Sequence, residues 1–372
     1  MDLALAHISD RVRAAAAEHT PLRIRGGGTK DFVGRTLQGE VLDTRALHGI
    51  VSYEPSELVV TVRAGTPLAE LEAALAAQGQ YLPFEPPHFQ QPGGDGATVG
   101  GMVAAGLSGP ARASVGAVRD FILGTQVLNG RAELLVFGGQ VMKNVAGYDV
   151  SRLMAGAWGT LGLITEVSLK VLPVAPGEAT LRFECNQADA LRKLHAWGGQ
   201  PLPLNASCWV QDAGVGTLYV RLRGAMAAVE AACKSMGGER MDNAAVRADW
   251  AACREQTLPW FAARAADHGL WRLSVPATAP VLVLPAAAQP LVEWHGALRW
   301  VQAPLSAGAA LRDAARAVGG SAMLFVAPYD RGTSTLGPFD LESKPLEQIH
   351  ARIKQSFDPA GIFNRGRLSP HW

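Results

Sequence analysis

Apolar and polar positions alternate in short bursts along the first part of the chain. Leu22-Arg23-Ile24-Arg25 alternates ahead of a Gly26-Gly27-Gly28 turn, and Leu58-Val59-Val60-Thr61-Val62 reads as a buried strand. A helix is expected next, with Thr66 as its N-cap, Pro67 at its first position and Gly79 as its stop. Leu68, Leu71 and Leu75 give that helix one apolar face. After Leu169-Lys170-Val171-Leu172, the residues Pro173, Pro176 and Gly177 mark a boundary.

Beyond that boundary the pattern changes. Leu181, Phe183 and Cys185 alternate, and a helix is expected over Ala188 to Trp197. A hairpin of Ser207 to Gln211 and Thr217 to Arg223 turns around Gly214-Val215-Gly216, and a second helix covers Ala225 to Met236. The order strand–helix–strand–strand–helix predicts a sheet with helices on one face, a ferredoxin-like half. Further strands at Leu270 to Val275, Val281 to Leu284 and Leu298 to Gln302 would extend the sheet. From Glu342 an amphipathic helix runs to about Phe357, before the turn Asp358-Pro359-Ala360-Gly361. The division expected is residues 1–172, 173–340 and 341–372, the last returning to the first domain.

Composition narrows the class. With 372 residues, 48% hydrophobic and 18% charged, the chain has the make-up of two globular domains rather than of a disordered protein. The formal net charge is +1 and no run of Lys and Arg occurs, which argues against nucleic-acid binding. The four cysteines, Cys185, Cys208, Cys233 and Cys253, form no C-x-x-C pair, so neither an iron–sulfur cluster nor a metal site is expected within the chain. Asp10, Arg11, Arg13 and Glu18 make the first helix too charged for a secretory leader, and separated thiols suit a reducing compartment. The uncharged stretch from Val275 carries Pro276, Pro280, Pro285 and Pro290, whereas a membrane helix needs about 20 apolar residues with every backbone group satisfied. A cytoplasmic protein without a transmembrane segment is expected.

The chemistry lies in glycine clusters. Arg25-Gly26-Gly27-Gly28-Thr29-Lys30 follows a strand, and successive glycines that take positive φ turn their N–H groups inward as an anion-binding nest. A tight strand–strand turn would have the same composition. A second cluster runs from Gly93 through Thr98, Gly100, Gly101 and Ala104 to Gly106, where small residues let a ligand approach a helix N-terminus. A close-packed core turn is the alternative. Gly116 precedes a strand, and two further segments read Lys143-Asn144-Val145-Ala146-Gly147-Tyr148-Asp149 and Gly159-Thr160-Leu161-Gly162-Leu163-Ile164. Neither GxxxxGK[ST] nor GxGxxG occurs, which disfavours a Walker loop and a Rossmann site.

Glycine clusters in this order resemble the FAD-binding domain of the vanillyl-alcohol oxidase/p-cresol methylhydroxylase superfamily. More closely, the chain resembles the FAD-binding subunits of bacterial glycolate oxidase (glycolate dehydrogenase). The resemblance rests on Gly65-Thr66-Pro67, Glu85-Pro86-Pro87-His88, the stretches 98–104, 114–121 and 141–149, and the tail from Phe357 to Asn364. It implies an α+β fold: a two-subdomain FAD-binding domain of the p-cresol methylhydroxylase type with a ferredoxin-like α+β cap. It also implies that Arg25 through Lys30 and Thr98, Gly100 and Gly101 wrap the pyrophosphate, with Ala104, Gly116 and Lys143 nearby. Gly159, Leu161, Gly162 and Ile164 would approach the adenosine side, and Asn364 would bring in the tail. Some relatives attach FAD through a histidine in the first loop; here the loop ends Gly28-Thr29-Lys30, so non-covalent FAD is expected. Family tails read Asn-Pro-Gly-Arg, whereas this one reads Asn364-Arg365-Gly366-Arg367.

Oxidation of a hydroxy acid by flavin needs a cation for the carboxylate and a base near the hydroxyl. The HxGDGxxH motif of related catalytic chains does not occur. The remaining candidates are His295 and Arg299, read onto one strand, and His88; a satisfied or surface histidine and an ion-paired arginine are the bland alternatives. Arg221 and Arg223 are expected to face solvent. The resemblance implies a subunit of a complex that oxidises glycolate to glyoxylate, beside a homologous catalytic flavoprotein and an iron–sulfur subunit, with membrane contact only through those partners. A non-catalytic FAD-binding scaffold and a free-standing 2-hydroxy-acid dehydrogenase are the alternatives.

Overall fold

A computed structural model describes residues 2–35, 38–90, 93–139, 149–212, 214–285, 288–328, 337–340 and 343–371. The chain separates into two compact units, Met1–Leu107 with Ala117–Val174 and Leu341–Trp372, and Ser108–Gly116 with Ala175–Asp340. The short segment Ser108–Gly116 thus groups with the second unit, although the sequence pattern keeps it within residues 1–172.

The first unit is built on an antiparallel sheet of five strands, ordered Ile50–Glu54, Val59–Arg63, Leu163–Lys170, Ile122–Leu128 and Leu134–Gly138. Val60 and Val62 are fully buried, as the uninterrupted apolar run requires. A separate parallel pair, Leu22–Arg25 with Glu40–Asp43, leads into the glycine loop. Helix Leu3–Glu18 covers this pair: Ile8 and Val12 pack with Leu22, Leu42, Ile362 and Phe363. Its N-cap Asp2 accepts from the N–H of Ala4.

The tail returns to this unit. Phe363 pairs with Leu22, and buried Lys354 on helix Lys344–Phe357 donates to the Thr160 and Phe363 carbonyls and to Asp358 Oδ2 at 2.5 Å. The expected N-cap at Thr66 is corrected. The helix spans Leu68–Ala76 with Pro67 at the cap, because the Thr66 hydroxyl accepts instead from the N–H of Gly49 at 2.9 Å.

The second unit is an antiparallel sheet of eight strands. Gly177–Glu184, helix Gln187–Gly198, Leu204–Asp212, Val215–Gly224, helix Met226–Met236 and Glu239–Arg240 form a β-α-β-β-α-β unit with strand order fourth–first–third–second, the ferredoxin-like arrangement. Leu181, Leu218, Val220 and Val292 pack under Leu194 and Val229 of its helices. Strands Leu291–Glu293, Leu298–Pro304, His268–Ser274 and Ser321–Val326 extend the sheet.

The strand expected at Val281–Leu284 is irregular chain. Prolines 280 and 285 deny it ladder donors, and Val283 is 92% exposed. Helix Asn243–Glu255 was not anticipated, although Asp242 caps it and Val246, Trp250 and Cys253 form its buried stripe. Among the described residues no helix is long and apolar enough to cross a membrane.

Candidate functional site

The site grows from the end of strand Leu22–Arg25. Of the three glycines that follow, only Gly28 takes a positive φ, +71°. Gly26 and Gly27 are required by close approach. A Cβ on Gly26 would sit 2.2 Å from Thr98 Oγ1, and one on Gly27 would sit 1.5 Å from the Gly96 carbonyl oxygen. The loop therefore lies flat against the second glycine cluster. The N–H groups of Gly26, Gly27, Gly28 and Thr29 donate to no acceptor among the described residues. Four successive open donors lining a cleft suit an anion with several oxygens. Arg25 is turned to Asp31 at 2.7 Å, while Lys30 is 92% buried, with Nζ near Thr29 Oγ1 and the His88 carbonyl.

Helix Val99–Ala105 forms the facing wall. Thr98 caps it by accepting from the N–H of Gly101 at 3.2 Å, and Gly100 donates to the Ala64 carbonyl at 2.7 Å. The two glycines differ in what they face. A Cβ on Gly100 would lie 2.6 Å from Ala64 Cβ, whereas one on Gly101 would meet only Thr98 Oγ1, at 3.0 Å. Gly100 is small for packing; Gly101 is small toward the cleft. Trp158, Gly159, Gly162 and Ile164 complete the wall, tied by the Trp158 N–H to the Ala104 carbonyl at 2.8 Å.

The tail closes the end. Asn364 accepts from the N–H of Ile24 at 2.8 Å and donates to the Trp158 carbonyl at 2.6 Å. Its side-chain amide therefore joins the first loop's strand to the fourth segment. Without the expected proline, the turn is held by this amide and by the N–H of Arg367 donating to the Asn364 carbonyl.

One cleft in the first unit thus brings together Arg25 to Lys30, Thr98, Gly100, Gly101, Ala104, Gly159, Gly162, Ile164 and Asn364. Leu161 is buried and does not line it, and Gly116 groups with the second unit. Lys143 lies outside the described residues. Sequence reasoning missed Arg367 and Trp158. The Arg367 guanidinium lies 4.8 Å from the Trp158 ring, donates from Nη2 to the Lys30 carbonyl at 3.0 Å, and leaves its buried Nε without a partner. Burial pushes its pKa down, opposed by the charge of Asp31. The terminal basic residue of the tail motif was the available signal.

His88 is not directed at the cleft: its Nε2 lies 3.0 Å from Glu72 Oε2. In the second unit, His295 sits in a 3-10 turn, Trp294–Gly296, rather than on a strand with Arg299. Its Nδ1 and Nε2 are each 3.0 Å from a serine hydroxyl, Ser207 and Ser114, and burial lowers its pKa to about 4. Arg299 is fully buried and donates to the carbonyls of Gly296, Ala279 and Pro280, with its pKa lowered to about 10 by burial. Among the described residues it makes no ion pair, and its guanidinium is spent on those three carbonyls. Arg221, expected at the surface, is buried against Trp250 and donates to Asn205, while Arg223 pairs with Glu178.

An open N–H run, a cleft-facing glycine and a buried arginine with a spare donor fit a pyrophosphate, the group that joins the halves of a dinucleotide cofactor. Residues 5–138 match the FAD binding domain family. The fold matches that of alkyldihydroxyacetonephosphate synthase with a TM-score of 0.66 at 14% identity, over 96% of this chain and 75% of that one. The protein carries an FAD-binding domain of the p-cresol methylhydroxylase type.

The chain is 44% identical to the glycolate oxidase subunit GlcE of Escherichia coli over 359 residues, 96% of this chain and 95% of that protein. It belongs to that family and is an FAD-dependent oxidoreductase subunit. More distant similarity reaches the glycolate oxidase subunit GlcD of Bacillus subtilis, 30% identical over 48% of this chain and 38% of that protein. It also reaches a D-lactate dehydrogenase of Archaeoglobus fulgidus, 32% identical over 45% of this chain and 36% of that one.

Proposed function

We propose that this chain is the FAD-holding subunit of a cytoplasmic glycolate-oxidising complex, working beside a homologous catalytic flavoprotein and an iron–sulfur subunit. The observation that carries this reading is the 44% identity along 95% of a glycolate oxidase subunit. Bound FAD supplies a two-electron acceptor for the oxidation of glycolate to glyoxylate. The residues of this chain hold its phosphates through the N–H groups of Gly26 to Thr29 and the guanidinium of Arg367, without a covalent bond. Gly101 leaves room for the backbone to reach them.

Dependence on a partner is supported by the state of the polar candidates. His295 is bracketed by two serines and Arg299 by three carbonyls, so neither offers a free base or carboxylate clamp. The test is anaerobic reduction of the bound flavin by glycolate, in the chain alone and in the reconstituted complex. Slow bleaching alone and fast bleaching with partners is the expected result. Fast bleaching of the lone chain, abolished by His295→Ala, would make this subunit the dehydrogenase. Acid precipitation checks the attachment: the flavin is expected in the supernatant, and colour retained in the pellet would refute a non-covalent cofactor.

A further inference from the structure

The second unit holds a cavity of about 700 Å³ that the flavin site does not use. Helix Asn243–Glu255 lines it with Val246, Trp250 and Cys253, spaced so that they share one stripe. Opposite lie Cys208 and Val210, two residues apart on one strand, while Trp209 between them packs into the core on the other face. Protein interiors leave few voids larger than a water molecule, and this volume falls within the roughly 300–1,000 Å³ of small-molecule sites.

The lining defines the chemistry. Trp250, Trp260 and Tyr219 supply aromatic surface, suited to stacking against a flat ring. On the floor, the Thr180 hydroxyl accepts from Trp250 Nε1 at 3.0 Å and keeps its own proton to donate. The buried Cys253 thiol donates to Glu293 at 3.1 Å, and the neighbouring Cys208 thiol together with burial holds Cys253 protonated. Cys253 therefore stands in the lining as a thiol already engaged with Glu293 rather than as a thiolate nucleophile. Among the described residues no lysine or arginine lines the cavity; Asp249 at the exposed rim is the one carboxylate, and the imidazole of His268 is paired through Nδ1 with Asp267 at 2.8 Å. Arg221 stands nearby, yet it is stacked on Trp250 and donates to Asn205 and does not line the space. Among the described lining residues the one group able to carry positive charge is His268, already paired with Asp267, and Asp249 repels an anion. The lining therefore favours an uncharged ligand over a carboxylate or phosphate.

We propose that this cavity is a binding site for an uncharged planar aromatic compound carrying a ring hydroxyl or carbonyl group. The proposal stands on the second unit alone and does not depend on the glycolate reading. Its test is isothermal titration of the FAD-loaded full chain with 2-naphthol and, separately, with its anionic counterpart 2-naphthoate.

Saturable 1:1 binding of 2-naphthol is expected, with 2-naphthoate at least about tenfold weaker, a gap of about 1.4 kcal/mol. Trp260→Ala removes one wall, and Val210→Phe adds volume into the space. Each is expected to weaken 2-naphthol binding about tenfold or more while the flavin spectrum stays unchanged. Absence of saturable heat to the solubility limit, equal affinity for the two probes, or unaltered binding in both folded variants would overturn the proposal. Loss of glycolate-dependent bleaching in an otherwise binding-competent protein would touch only the function proposed above.

Discussion

Two adjacent glycines are expected to fail in opposite ways when each is changed to alanine. At Gly100 the new Cβ would stand 2.6 Å from Ala64 Cβ and 3.0 Å from the Ala64 carbonyl oxygen, which already accepts the N–H of Gly100 at 2.7 Å. Carbon–carbon contacts are favourable near 3.5–4.0 Å, so the helix must move off Ala64 and loosen that hydrogen bond. Overpacking of this kind costs about 1–3 kcal/mol. At Gly101 the new Cβ meets only Thr98 Oγ1, at 3.0 Å, and the helical backbone there gains from alanine about 1 kcal/mol relative to glycine. Those terms largely cancel, so the apo protein with Gly101→Ala should unfold within about 1 kcal/mol of wild type.

The binding consequence is reversed. Gly101 lines the cleft, and on the proposed reading a methyl group there stands where the cofactor's phosphates approach the helix. Gly101→Ala should weaken FAD binding about tenfold, equivalent to about 1.4 kcal/mol, and Gly101→Val more. Urea unfolding of the apo proteins measures the first quantity, and titration of apo protein with FAD measures the second. An FAD affinity for Gly101→Val within about twofold of wild type would refute the assignment of this wall to the phosphates. So would an apo stability loss in Gly101→Ala as large as that in Gly100→Ala.

Arg367→Met should weaken FAD binding about tenfold, with Arg367→Lys recovering little of it, because an ammonium cannot both stack on Trp158 and donate to the Lys30 carbonyl as a planar fork does; titration of the apo variants with FAD decides. Lys354→Met should cost about 3–5 kcal/mol in urea unfolding, since it leaves the fully buried Asp358 carboxylate without its counter-ion, and adding Asp358→Asn should recover part of that loss. His295 has its pKa lowered from 6.5 to about 4 by burial, so the unfolded chain takes up the proton first as pH falls. Its contribution is whole above about pH 6.5 and is lost toward pH 4, an upper bound of about 3 kcal/mol. Wild-type stability should therefore fall more steeply on acidification than that of His295→Gln; parallel pH profiles would show that the imidazole is not buried in the neutral form.

Local pattern made much of this legible. The run Leu58 to Val62 reads as a buried strand, and the observed strand, Val59–Arg63, leaves only Leu58 outside it, while the segments from Leu181 to Met236 carry the period changes of a ferredoxin-like unit. Glycine density located the cradle but misjudged its cause. Only Gly28 needs its left-handed φ, while Gly26 and Gly27 are dictated by Thr98 and Gly96, residues about 70 positions away. Close approach between distant segments leaves no periodic trace. The same holds for Arg367, which enters the cleft because the tail pairs with Leu22, and for Arg221, whose alternation said which face it took but not that Trp250 would cover that face. Charge alone suggested solvent, and the helix that overrides this was visible only through the spacing of Val246, Trp250 and Cys253.

The two units differ in where their polar groups are spent. In the second, arginines and histidine that looked available for chemistry are consumed by the protein itself: Arg299 by three carbonyls, His295 by two serines, Arg221 by Asn205 and Trp250. Burying such groups unpaired would cost several kcal/mol, so their partners are a condition of the fold, and recruiting them to a substrate would mean breaking those bonds first. In the first unit the balance is the opposite. Four consecutive N–H groups and the buried Nε of Arg367 have no partner among the described residues, a deficit that an anion with several oxygens removes. Binding a pyrophosphate should therefore stabilise the first unit against unfolding. On the proposed reading, a subunit with open donors at its cleft holds the flavin, while its candidate base and clamp, His295 and Arg299, are engaged within the protein and a neighbour supplies both.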